Sequence, residues 1–190
     1  MDQANDLMDL SHSILLANVF SGPCNQTTSQ WIADHFGPER SFGCAKSVPL
    51  VLARNSMIRD GALPSITPDT NWVFFIDNDV TITHPGVESF LAVPGDVVSC
   101  ECQCRNPAAW TDPQAFHCNF WRCRPAVLKA ITAPWFSVCA SDDGCDLISC
   151  ECTSFQRRAL AAGFSVAHGG NCGHAMQGDW IQRGESSYDC

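Results

Sequence analysis

The run Asn71-Trp72-Val73-Phe74-Phe75-Ile76 leads without a break into Asp77-Asn78-Asp79. A continuous apolar run, rather than an alternating one, belongs to a strand covered on both faces. Such strands sit in parallel or mixed sheets flanked by helices. The chain is therefore predicted to be α/β, with a central strand that ends on two carboxylates. In open α/β sheets, ligands bind at the carboxyl ends of strands. Two carboxylates on one tight turn repel each other unless a cation lies between them. Oxygen donors of this kind suit Mg²⁺ or Mn²⁺. A bare D-x-D is short and common, so it is the strand feeding it that gives this one weight.

The rest of the chain reads as alternating strands and helices, which also argues for α/β. Ser13 to Phe20 is a continuous apolar strand closed by Ser21-Gly22-Pro23. Thr27 to Phe36 has Trp31, Ile32 and His35 or Phe36 on one helical face. A helix is expected from about Pro49, capped by Ser47, to about Leu63. His84-Pro85-Gly86 opens a short helix to about Leu91. Val97 to about Cys104 and Phe116 to Cys123 read as strands, and Pro125 to Ile131 as a helix. Thr153 is expected to cap a helix closed by Gly163. Phe164 to Ala167 reads as a last strand, followed from His168 by a tail rich in Gly, Cys and His.

At 190 residues, the length predicts one domain, residues 1–190. No apolar run reaches the roughly 18 residues of a membrane helix. The acidic opening Met1-Asp2-Gln3-Ala4-Asn5-Asp6 lacks the basic-then-apolar order of a signal peptide. A soluble, cytoplasmic protein with no membrane partner is expected. The formal net charge of −9 argues against broad nucleic-acid binding, which needs a positive surface. A local basic groove is still compatible with it: Arg122, Arg124 and Lys129, with Arg157 and Arg158 near in the fold, are candidates to track phosphates. An ordinary solvated face is the competing reading.

There are thirteen cysteines. With no signal peptide, a disulfide scaffold is not expected. Small buried hydrophobes are the favoured reading. A structural Zn²⁺ drawing on Cys100, Cys102, Cys104, Cys145, Cys150, Cys152, Cys172 or His174 is the less favoured one, since no C-x-x-C pair is present. The aromatic set Trp110, Phe116, Phe120, Trp121 and Trp135 is read mainly as core, with sugar or base stacking as the alternative.

Several motifs in order resemble those of GT-A glycosyltransferases of the family-2-like group. Trp72 to Val80 looks like that family's D-x-D strand. Ala53-Arg54-Asn55 resembles its A-R-N helix. Pro85-Gly86-Val87 and Gly95-Asp96-Val97-Val98 match the stretch after the D-x-D. Glu151-x-x-x-Phe155-x-Arg157-Arg158 through Gly163 resembles its E-D-x-x-F-x-x-R helix, and Gly173-His174 its terminal histidine. The resemblance covers about residues 13–175. It implies a Rossmann-like nucleotide-binding half over 13–80, an acceptor half over 81–175 and a mixed central sheet. It also implies a nucleotide-sugar donor, expected to be a UDP-sugar, with Mn²⁺ or Mg²⁺. On this resemblance Asp77, Asp79 and His174 hold the metal, and Asn18, Phe20, Ser21, Arg54, Asp77 and Asn78 hold the nucleotide. Arg54 is expected to face the diphosphate.

The chain departs from the family at one place. The second acid of the E-D pair, the usual base for inverting transfer, is Cys152 here. Glu151 is the first replacement candidate. Asp142, Asp143 and Asp146 in the preceding loop come next, and a retaining reaction needs no such base. The acceptor is expected to be a hydroxyl. The compact size resembles phage-type transferases, some of which glycosylate hydroxymethylated bases in DNA. A 5-hydroxymethyl-pyrimidine, flipped from the stack, therefore stands beside a saccharide or protein acceptor. The competing expectations are a zinc-stabilised binding module and a degenerate transferase that binds donor without turnover.

Overall fold

The computed structural model describes residues 10–18, 26–36, 41–43, 49–103, 118–140, 142 and 147–174. Within it the chain forms a single mixed α/β domain around a seven-stranded sheet.

The expected central strand is β3 (Trp72–Asp77), buried from Trp72 to Ile76. β1 (Ser13–Asn18) lies parallel beside it, with Asn18 opposite Asp77. β2 (Ser41–Gly43) is parallel to β1 on the far side. On the other flank of β3, β6 (Phe120–Cys123) runs antiparallel. β5 (Val97–Gln103) follows, antiparallel to β6 and parallel to β9 (Val166–His174). The edge is β4 (Val80–Thr81), antiparallel to β9. The order is thus β2-β1-β3-β6-β5-β9-β4. A separate hairpin pairs β7 (Cys139–Ala140) with β8 (Leu147–Ser149).

Alternation along β3 divides the core in two, because successive side chains leave a strand on opposite faces. Val73 and Phe75 pack with Leu16, Trp121, Phe136 and Phe155 on one face. Phe74 and Ile76 pack with Leu15, Trp31, Phe90 and Phe120 on the other. The first face is covered by α5 (Pro125–Ala130), α6 (Glu151–Ala161) and a helix that starts as α2 (Leu50–Ser56). That helix widens into a π-helical stretch (Met57–Ala62) and ends as α3 (Leu63–Ser65). α1 (Gln26–His35) and α4 (His84–Ala92) cover the second. Phe75 and Trp121 stack at 3.8 Å between ring centres.

Several expectations are corrected. The residue at the α2 N-cap is Pro49, with no side-chain cap, and Ser47 lies outside the described residues. α6 begins at Glu151 with Cys150 as N-cap, not at Thr153. The described part of β6 begins at Phe120. The Gly-rich stretch after His168 is not an irregular tail but the continuation of β9. It is a strand because it is a contact surface for α4. A Cβ on Gly170 (φ +70°) would fall 2.5 Å from the Phe90 Cβ and against the Gly86 oxygen, and one on Gly86 would overlap the Asn171 oxygen. Helix and strand approach this closely because both faces lack side chains.

Arg122 does not belong to a surface cluster. It is fully buried, stacked 3.9 Å over Trp72, and donates to the carbonyls of Leu91 (3.2 Å) and Val93 (2.6 Å) at the end of α4. Arg158 donates to the Thr132 carbonyl at 3.2 Å and to that of Pro134. Phe120, Trp121 and Trp135 are buried, so the core reading holds for them. Trp110 and Phe116 lie outside the described residues. Cys100, Cys118, Cys123, Cys139, Cys150 and Cys152 are free thiols, most of them buried. Cys172 is disulfide-bonded, so not every cysteine is the small buried hydrophobe expected. Among the described residues, no helix is long and apolar enough to cross a membrane.

Candidate functional site

The site grows from the carboxyl end of β3. Asp77 closes that strand, its N–H donating to the Asn119 carbonyl at 2.8 Å. The chain turns through Asn78, which is buried, and Asp79, which is half-exposed. It re-enters the sheet as β4. There Val80 pairs with His174 and Thr81 with Gly173. Thr28 of α1 donates its hydroxyl to the Val80 carbonyl at 2.5 Å and so pins the turn from behind. The backbone of His174 thus stands one residue from Asp79, though 95 positions separate the two in sequence.

Below the turn lies a buried cation. Arg54, on α2, is 3% exposed. Its Nη2 donates to Asp77 Oδ2 at 2.9 Å and to the Cys118 carbonyl at 3.2 Å, and its Nη1 donates to Glu151 Oε1 at 2.8 Å. Burial by itself disfavours the guanidinium charge. The Asp77 carboxylate, with Cys118, Cys152 and Glu151 beside it, outweighs that cost and holds Arg54 firmly protonated. Asn55, next on the helix, bridges to the backbone of Phe136 through both its amide groups, at 2.9 and 3.0 Å. The A-R-N segment is therefore an internal brace. The expected contact of Arg54 with a nucleotide diphosphate is replaced by these carboxylates, because its forked donors match them and leave the guanidinium out of solvent.

Glu151 is the first residue of α6 and only 6% of its side chain is exposed. Its carboxylate favours the positive end of that helix and answers Arg54. Cys150 and Cys152 flank it, and the ligand atoms of all three lie within 4.8 Å of one another. Cys152 is buried, and the Cys150 thiol lies 3.3 Å from the Thr153 hydroxyl. The contact with Cys118 is the main reason that the Cys152 thiol is held well above the ordinary range, with burial adding to it. The Cys150 thiol is likewise raised, first by its contact with Cys152 and then by burial.

The structure therefore brings Asp77, Asn78, Asp79 and the backbones of Asn18 and His174 to one end of the sheet, with Arg54 and Glu151 packed beneath. Phe20, Ser21 and Asp146 lie outside the described residues, as do the side chains of Asn18 and His174. Asn78 is buried, and so not presented to a ligand as expected. Sequence reasoning missed Glu151 as the partner of Arg54. The opposite charges of that pair were the available signal.

The chain matches no protein-family model and no curated protein. It is similar in structure to A197 from STIV, solved as a crystal structure. The TM-score is 0.51, with 12% identical residues, over 82% of this chain and 81% of that one. At that identity the likeness carries the fold alone. It adds a second protein with the same mixed α/β arrangement.

Proposed function

We propose that the chain is a GT-A-type, metal-dependent glycosyltransferase that moves a sugar from a nucleotide-sugar, expected to be a UDP-sugar, to an acceptor hydroxyl. The observation that carries this reading is the pairing of Val80 with His174. It gathers the D-x-D and the terminal histidine, far apart in sequence, at the carboxyl end of β3. The donor set fits the implied ion: two carboxylates and an imidazole are ligands that Mn²⁺ accepts and Mg²⁺ partly shares. Asp77, Asp79 and His174 would hold it. Bound there, the cation would neutralise charge on a leaving diphosphate.

The chain's own residues have distinct tasks in this proposal. Arg54 fixes the rotamer of Asp77 by holding Oδ2. Asn78, turned inward, keeps the turn rigid. Asn18, opposite Asp77 on β1, stands where the nucleotide would lie. Glu151, held by Arg54, acts as a positioning residue. Deprotonation of an inverting acceptor then falls to the acidic segment of Asp142, Asp143 and Asp146, and a retaining reaction dispenses with it. The anomeric configuration of the product, read by NMR, separates these two. The net charge of −9 and the loss of Arg122 from the surface favour a saccharide or protein hydroxyl over a hydroxymethylated base in DNA.

The test is nucleotide release from a panel of UDP- and GDP-sugars, with and without Mn²⁺, against saccharide, protein and hydroxymethylated-DNA acceptors. Metal-dependent release that disappears in Asp79→Ala, in a protein that still folds, is the expected result. His174→Ala should raise the Mn²⁺ concentration needed. Absence of release with every donor, or full release from Asp79→Ala, overturns the proposal.

A further inference from the structure

Beside the oxygen-donor turn, the structure holds a second group of metal-ligating atoms of different chemistry. We propose that Cys150 and Cys152, with the Glu151 carboxylate, form a soft-metal site that binds one Zn²⁺. All three come from the start of α6, with Cys150 as its N-cap. The Cys150 sulfur, a Glu151 oxygen and the Cys152 sulfur all lie within 4.8 Å of one another. Sulfurs about 2.3 Å from a tetrahedral zinc stand roughly 3.8 Å apart. The atoms therefore need to close by about 1 Å, which side-chain rotation can supply.

Two features of the surroundings fit a thiolate metal centre. The Arg54 guanidinium holds Glu151 Oε1 at 2.8 Å, which is the outer-shell support that metal ligands usually have. Cys152 is buried, while Cys150 is half-exposed, which provides an entry path. Two thiolates and a carboxylate leave the fourth tetrahedral position to water. The binding balance is Zn²⁺ plus two thiols giving the zinc dithiolate and two protons, with no change of oxidation state.

This site is separate from the Asp77–Asp79 turn in ligand type. Cobalt separates the two, because only thiolate ligation gives an intense ultraviolet charge-transfer band together with tetrahedral visible absorption. The protein, freed of metal by dialysis against a chelator, is titrated with Co²⁺ and then with Zn²⁺. The expected result is one thiolate-bound Co²⁺ per chain, displaced by Zn²⁺, with the band retained in Asp79→Ala and in Cys100→Ala. Both Cys150→Ser and Cys152→Ser should lose it. Cys150→Ser is the safer variant, because serine is a favoured N-cap residue and keeps the start of α6. A wild-type protein without the thiolate band overturns the proposal, as does a folded Cys150→Ser that keeps the band in full.

Discussion

Arg54 and Glu151 are 97 residues apart in sequence and meet at 2.8 Å, with 3% and 6% of their side chains exposed. This ion pair joins the helix that covers one sheet face to the start of α6. Through its other nitrogen Arg54 also holds Asp77 at the end of the central strand. The carboxylate that opens the candidate metal site is thus anchored by a cation buried in the core.

Removing that cation should be costly. Breaking a buried pair by deleting one partner leaves an uncompensated charge, typically costing about 3–5 kcal/mol. Arg54→Ala is expected to lose stability in that range by urea denaturation. Glu151→Gln, whose amide oxygen still accepts from Arg54, should lose less. An Arg54→Ala protein within about 1 kcal/mol of wild type would show that the pair does not brace the fold.

Arg122 is expected to behave similarly for a different reason. Its guanidinium is stacked on Trp72 and serves carbonyls at the end of α4. Arg122→Leu leaves those buried acceptors unpaired, at about 1–3 kcal/mol. Loss of helix-end protection near Leu91 and Val93 in hydrogen exchange would check the mechanism, and unchanged protection would exclude it.

Close approach of α4 to β9 should be intolerant of a methyl group. Gly170→Ala puts a Cβ into Phe90 at a positive φ. It is expected to cost about 2–4 kcal/mol, from overpacking and backbone strain together. Because β9 carries His174 to Val80, the same change should weaken Mn²⁺ binding. A variant with wild-type stability and metal titration would contradict this packing.

Asp96 gives a pH prediction. The Ser165 hydroxyl donates to its Oδ2 at 2.7 Å and the Ser165 N–H at 2.9 Å. These bonds, the hydroxyl first, lower its pKa below the ordinary carboxyl value. A lowered folded-state value means that the unfolded chain takes up a proton first as pH falls. The stabilisation is complete above about pH 5 and is lost as pH drops through about 3.9 and then through the folded value. Asp96 is largely solvated, so the effect should stay under about 1 kcal/mol. Ser165→Ala should flatten this part of the acid limb; an unchanged pH profile would remove the bond from the stability balance.

Much of the fold was legible because local patterns report burial. Trp72 to Ile76 reads as a two-faced strand because both its faces are covered. α1, α4 and α5 are found within a residue or two of where periodicity and Pro or Gly boundaries put them. The stretch from His168 to His174 was illegible, since glycines usually mark turns, and here they are spaces cut for another helix. Arg122 read as surface because a charge is normally solvated, and only the rings of Trp72 and Phe90 with the carbonyls of Leu91 and Val93 make its burial tolerable.

By itself, then, the sequence determined the class of fold and the acidic end of its central strand, because hydrophobic burial and turn chemistry act over a few neighbouring residues. Only the tertiary structure decided that Arg54 faces inward to Glu151 and Asp77, and that His174 arrives beside Asp79. Those contacts span tens of residues. They follow from strand order and from the close approach of helix to sheet, which no local pattern encodes.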